Sequence, residues 1–145
     1  MSTLPNYEIY AIRYAKQDLR AESHLFMGGD PNKMCQGLDF FTYAIKGGGR
    51  TWIVDSGFTP EGALRMGRQY DYLIRPCDAL AKLGIDAATA PDVILTHAHF
   101  DHVGTLDDYK AATFHIQDQE MIHVTGRDMT HPRFRAAYHP DDIKQ

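Results

Sequence analysis

Short runs rich in β-branched and aromatic residues recur along this chain, bounded by glycine, proline and charged positions. They predict strands over residues 7–14, 40–45, 51–55, 92–96 and 112–116. The second and third are joined by Lys46-Gly47-Gly48-Gly49-Arg50. Glycine supplies the positive φ of a tight turn, so this stretch predicts a hairpin. Residues 19–36, which include Gly28-Gly29-Asp30-Pro31-Asn32, predict a long loop. A helix is expected over residues 75–83, opened by Pro76 and closed by Gly84, with Cys77, Leu80 and Ala81 on one stripe. Asp118 is expected to cap another helix running through Glu120, Met121 and Val124 to Gly126. Strands alternating with helices predict an α/β, layered α+β fold. There is no internal repeat and no low-complexity tract.

Composition narrows the class. At 145 residues and 43% hydrophobic content, the chain can bury one core, which predicts a single domain over residues 1–145. A net charge of -4 leaves no electrostatic footprint for nucleic acid or for an anionic membrane. Residues 1–19 mix apolar positions with Glu8, Arg13, Lys16 and Asp18, unlike a signal peptide, and no apolar run approaches the ~20 residues of a membrane span. A cytoplasmic protein is expected. Cys35 and Cys77 are too few and too far apart to read as a redox pair or zinc knuckle, so free thiols are expected. The triple glycine is not read as a phosphate loop, because no helix or Lys-Ser/Thr pair follows it.

The chemistry concentrates in His97-Ala98-His99-Phe100-Asp101-His102, three imidazoles and a carboxylate directly behind the apolar run Val93-Ile94-Leu95. In an extended chain His97 and His99 share a face, about 7 Å apart at the backbone, within reach of one ion. Asp101 keeps that parity, but His102 joins it only if the backbone curls near Phe100. A second ion, roughly 3.5 to 4 Å from the first, could take Asp101 and His102. The donor set suits zinc, and iron, manganese or cobalt could occupy it.

Thr96-His97-Ala98-His99-Phe100-Asp101-His102-Val103-Gly104 resembles the signature of the metallo-β-lactamase fold superfamily. Trp52-Ile53-Val54-Asp55-Ser56-Gly57 resembles its earlier strand-plus-aspartate motif. Residues 7–14, 83–86 and 114–121 are similar to N-acyl homoserine lactonase-like members. The resemblance implies an αββα sandwich with a two-zinc site, in which His97 and His99 serve one ion and Asp101 and His102 the other. Asp55 would orient the ligand loop without binding metal. It implies a zinc hydrolase opening small-molecule lactone or ester bonds by metal-hydroxide attack. Asp101 is then either the residue that moves the proton or a ligand only.

The family completes its site with a further histidine after glycine, a bridging aspartate and a last histidine. His115, His123, His131 and His139 all lack a preceding glycine, and His24 lies in the early loop. His115 is expected on a strand, His123 on a helix surface, and His131 and His139, each before proline, in extended loop. The chain therefore looks like the N-terminal half of the sandwich, with the missing half or self-association covering its sheet. Other hydrolases share the motif, among them glyoxalase II-like thioesterases, β-lactamases and phosphodiesterases. A non-catalytic metal-binding or interaction fragment is the remaining reading.

Overall fold

The computed structural model describes residues 5–144. One six-stranded mixed sheet organises it, in the order β4-β1-β2-β3-β5-β6. These strands are β1 (Tyr7–Ala21), β2 (Met34–Gly47), β3 (Arg50–Val54), β4 (Asp71–Tyr72), β5 (Asp92–Ile94) and β6 (Thr113–His115). The first four pair antiparallel, whereas β3, β5 and β6 run parallel. The helices are α1 (Pro60–Arg65), α2 (Pro76–Lys82), α3 (Phe100–Val103), α4 (Asp118–Thr125) and α5 (Pro140–Ile143).

The glycine hairpin forms as expected. Gly47 pairs with Arg50, and Gly48 and Gly49 take φ of 59° and 76°, a conformation L side chains resist. The expected loop over residues 19–36 is corrected. β1 runs on to Ala21 and β2 begins at Met34, with Leu19 opposite Gln36 and Arg20 opposite Cys35. This outer ribbon is solvated, so no buried face imposes the period-two pattern by which a strand is read. A bulge between Arg13 and Ala15 puts Tyr14 and Ala15 both inside. Two elements between β3 and α2 had no sequence expectation. One is α1, capped by the Thr59 hydroxyl, which accepts from Gly62 N–H at 3.1 Å. The other is β4, whose two residues pair with Ala15 and Lys16.

Smaller corrections concern ends. The α2 helix starts on Pro76 and turns its stripe so that Ala79 and Leu80 are buried while Ala81 is exposed. Gln117, not Asp118, is the N-cap of α4, and it makes no side-chain bond. Asp118 sits in the first turn, where the helix dipole favours a carboxylate. Ladder pairing of β5 stops at Ile94, and Asp55 lies just past β3.

The core has two parts on one side of the sheet. Ile12, Ala44, Ile53, Leu80, Val93, Leu95 and Val103 form an aliphatic cluster. Tyr14, Phe40, Phe58 and Phe100 form an aromatic one, with Phe58 5.1 Å from both Tyr14 and Phe40 and 5.5 Å from Phe100 between ring centroids. Over residues 40–45, 51–54 and 93–95, burial therefore alternates, with every second position on this packed side. On the opposite side, Ala11, Tyr43, Val54 and Ile94 stand in register across four strands, with Tyr43 and Ile94 each 37% exposed. Cys35 and Cys77 are free. No helix among the described residues is long and apolar enough to cross a membrane.

Candidate functional site

The parallel strands β3 and β5 end side by side, and both chains then leave the sheet at their carboxyl ends. Asp55, the first residue past β3, takes φ 61°, a left-handed conformation that is uncommon outside glycine, asparagine and aspartate. This turn aims its buried carboxylate across to the segment after β5. Oδ1 accepts from Thr96 N–H at 2.8 Å, and Oδ2 meets the Thr96 hydroxyl at 2.9 Å and His102 Nδ1 at 2.8 Å. A carboxylate only accepts, so the proton on His102 lies at Nδ1 and the Nε2 lone pair faces away from Asp55.

The curl expected near Phe100 is the single turn of α3. Phe100 is buried in the aromatic cluster, and this turn brings His102 back against His97, ring centroids 4.0 Å apart. His97 and His99 are 4.3 Å apart by the same measure. Asp101 Oδ2 lies 3.6 Å from His102 Nε2. The α3 backbone is held from three sides. Tyr14 donates its hydroxyl to Asp101 O at 2.9 Å, Ser56 N–H and Oγ donate to His102 O at 2.7 and 3.0 Å, and Gly104 N–H donates to Gly57 O at 2.8 Å.

The protonation tendencies of the imidazoles differ. Desolvation, then the neighbouring His102, lowers His97; desolvation, then His97, lowers His99. Burial also opposes charge on His102, but the Asp55 hydrogen bond and the nearby Asp101 outweigh it and raise its pKa. His97 and His99 are thus poised as neutral imidazoles, the form that binds metal.

The donors fit a divalent cation in kind. In tetrahedral zinc sites with bonds of ~2.0 to 2.2 Å, donor atoms stand roughly 3.3 to 3.6 Å apart, which includes the spacing of Asp101 Oδ2 and His102 Nε2. Among the described residues, however, no group of three or more His, Cys, Asp or Glu side chains converges on a single metal position. The remaining histidines do other work. His115 binds Asp92 at 2.8 Å, His131 Nδ1 accepts from Arg133 N–H, and His139 Nδ1 accepts from Asp141 N–H as the cap of α5. His24 is exposed in a short 3-10 turn, and His123 packs against Tyr138.

Several residues at the site carry no local signal in the sequence. Glu120 and Tyr138 reach the His97 to His99 segment from α4 and from the stretch before α5. Tyr14 is a core aromatic whose hydroxyl happens to meet Asp101. Thr96 was visible inside the motif, but its bond to Asp55 depends on the left-handed turn.

Fold and cluster together define a layered α/β protein that carries imidazoles and a carboxylate at the carboxyl ends of parallel strands. The metallo-beta-lactamase superfamily model matches residues 41–141, and the chain belongs to that superfamily. Among solved structures it is similar to a quorum-quenching N-acyl homoserine lactone lactonase, at TM-score 0.74 and 18% identity over 99% of this chain and 55% of that one. A probable metal-dependent hydrolase from Staphylococcus aureus matches at TM-score 0.67 and 15% identity, over 94% and 55%. A dizinc quorum-quenching lactonase matches at TM-score 0.66 and 15% identity, over 99% and 55%. The chain spans about half the length of these structures. No curated protein sequence matches it.

Proposed function

We propose that this chain carries the metal-binding part of a divalent-metal hydrolase site that opens lactone or other carboxylic-ester bonds. The observation that carries the reading is the packing of three imidazole rings and Asp101 at the ends of β3 and β5 in a chain of this superfamily. His97 and His99 would hold one ion and Asp101 and His102 a second, with zinc suited to the mixed set and iron, manganese or cobalt able to replace it. A bound cation would supply Lewis-acid polarisation of a carbonyl and an acidified water.

The chain's own residues set the stage for that chemistry. Asp55 holds the proton of His102 at Nδ1, which leaves Nε2 available as a donor. Asp101, its side chain 22% exposed, keeps a carboxylate oxygen within reach of solvent at the same edge and can take a proton there. The lactone class draws support from the names of the lactonase neighbours. The apolar row Ala11, Tyr43, Val54 and Ile94 is the face on which the rest of an αββα sandwich, or a second copy, would pack.

A non-catalytic metal-binding module is the second reading: Asp101 Oδ2 and His102 Nε2, 3.6 Å apart, can help hold an ion without the rest of a hydrolytic site. Elemental analysis after zinc loading and dialysis tests both, alongside lactone ring opening followed by proton release. Wild type should retain zinc and the His97→Ala, His99→Ala double variant should lose it. Equal zinc in the two would overturn the assignment, and retained zinc with no turnover above free zinc would favour the second reading.

A further inference from the structure

Ala98, the residue between His97 and His99, is buried, and its N–H donates to Glu120 Oε1 at 2.8 Å. The same oxygen accepts from the Tyr138 hydroxyl at 3.2 Å, and the Tyr138 ring stands edge-on to His99 with centroids 4.6 Å apart. Two residues along, Phe100 N–H donates to Ala137 O at 2.9 Å. Residues from α4 and from the stretch before α5 thus grip three consecutive positions of the histidine segment. This grip lies outside the Asp55 network, which acts on Thr96 and His102 instead.

We infer that Glu120 is a positioning residue that sets the separation and aim of His97 and His99 by clasping the first of the two amides between them, with Tyr138 bracing both the carboxylate and the His99 ring. The inference rests on the metal-site reading above. The Ala98 N–H belongs to the peptide plane that joins it to His97, and its Cα carries the plane leading to His99. Fixing this amide therefore restrains the backbone of both imidazoles. The position lies beyond the ladder of β5, whose last pair is Ile94 with His115, so no strand partner does this work. A carboxylate accepting from a backbone N–H makes a shorter and stronger bond than a neutral acceptor. Its single Oε1 has lone pairs for both Ala98 and Tyr138.

The test uses the whole chain with Glu120→Leu and Glu120→Gln. Leu removes the acceptor at similar volume, whereas Gln keeps an oxygen that can accept from both partners. Two quantities are read: amide hydrogen exchange at Ala98 in metal-free protein, and zinc affinity by chelator competition. Glu120→Leu should speed Ala98 exchange and weaken zinc binding by ~10-fold or more, the usual cost of losing a group that orients metal ligands. Glu120→Gln should restore both to within about 3-fold. Exchange at Val124, the buried residue in the last turn of α4, should stay unchanged in both variants and separates loss of the clasp from unfolding of the helix.

Unchanged Ala98 exchange in Glu120→Leu overturns the clasp. Faster exchange with unchanged zinc affinity overturns its positioning role. If wild type binds no zinc, the metal-site reading fails, and with it the positioning role. Ala98 exchange would then still decide whether Glu120 holds the segment.

Discussion

Asp55 offers the sharpest test of how the cluster is held, because one buried carboxylate serves three donors from a strained backbone position. Its 61° φ is tolerated by aspartate and asparagine far better than by alanine. Replacing it with asparagine keeps volume and backbone but removes the charge. Oδ1 still accepts from Thr96 N–H, and the Thr96 hydroxyl, now facing the amide NH₂, must turn to accept from it, so both contacts become neutral ones, each weaker by ~1 kcal/mol. The amide NH₂ then faces His102 Nδ1, so the imidazole must move its proton to Nε2 or lose the bond. Together these place Asp55→Asn about 2 to 3 kcal/mol below wild type. Asp55→Ala loses all three partners, leaves the Thr96 N–H without its acceptor, and adds ~1 kcal/mol of left-handed strain, for about 4 to 5 kcal/mol in total. Urea unfolding in the presence of chelator measures both without metal linkage, with the m-value checked for constancy. An Asp55→Asn variant within ~0.5 kcal/mol of wild type would refute the claim that charge, and not merely shape, holds Thr96 and His102.

Three further outcomes follow from contacts of the same region. Gly57→Ala should cost about 2 kcal/mol or more, since a Cβ at φ 86° would lie 2.8 Å from Pro76 Cγ and 3.1 Å from Tyr14 Cζ; a neutral result in thermal unfolding would remove Gly57 from the bracing of α3. Tyr14→Phe deletes only the hydroxyl that donates to Asp101 O and should cost ~1 kcal/mol in urea unfolding, with no loss meaning that water replaces the bond. For Asp142, desolvation raises the carboxyl and Arg65 only partly offsets it. A folded pKa above the unfolded one means that its contribution is fully present below the unfolded value and is lost as pH rises through the raised one. The stability of wild type relative to Asp142→Asn should therefore fall from acid toward neutral pH, and an opposite slope would show that the Arg65 pair dominates.

The parts of the fold legible in the sequence were those whose signal is local. The glycine hairpin, the helix after Pro76 and the histidine run after β5 each announce themselves within a few residues. The parts that were not legible depend on partners far along the chain. The outer ribbon of β1 and β2 is written in register and not in pattern, because neither of its faces is buried in the core. The pairing of β4 exists because β1 offers it Ala15 and Lys16 just past a bulge. Within the site the same division holds. His97, His99, Asp101 and His102 were read from spacing, and Asp55 from the family resemblance. The Glu120 contact spans 22 positions in sequence, with nothing in either segment to signal it.

The bracing of the cluster and the covering of the sheet are separate problems in this chain. Every group that holds the histidine segment belongs either to the packed side of the sheet, as Tyr14 and Phe100 do, or to the segments beside the cluster, as Asp55, Ser56, Glu120 and Tyr138 do. None belongs to the opposite row of Ala11, Tyr43, Val54 and Ile94. That row supplies no hydrogen bond to the bracing, although its Tyr43 lines the same cavity as Asp55, Asp101 and His102. Convergence on a metal is different, because the donors are ring-packed but not yet aimed at one point. One pair, His102 Nε2 and Asp101 Oδ2, already stands at nearly the spacing of two ligands on one ion. Because the backbone that carries them is hydrogen-bonded at Thr96, Ala98, Phe100 and His102, convergence on an ion would fall to side-chain rotation more than to backbone movement.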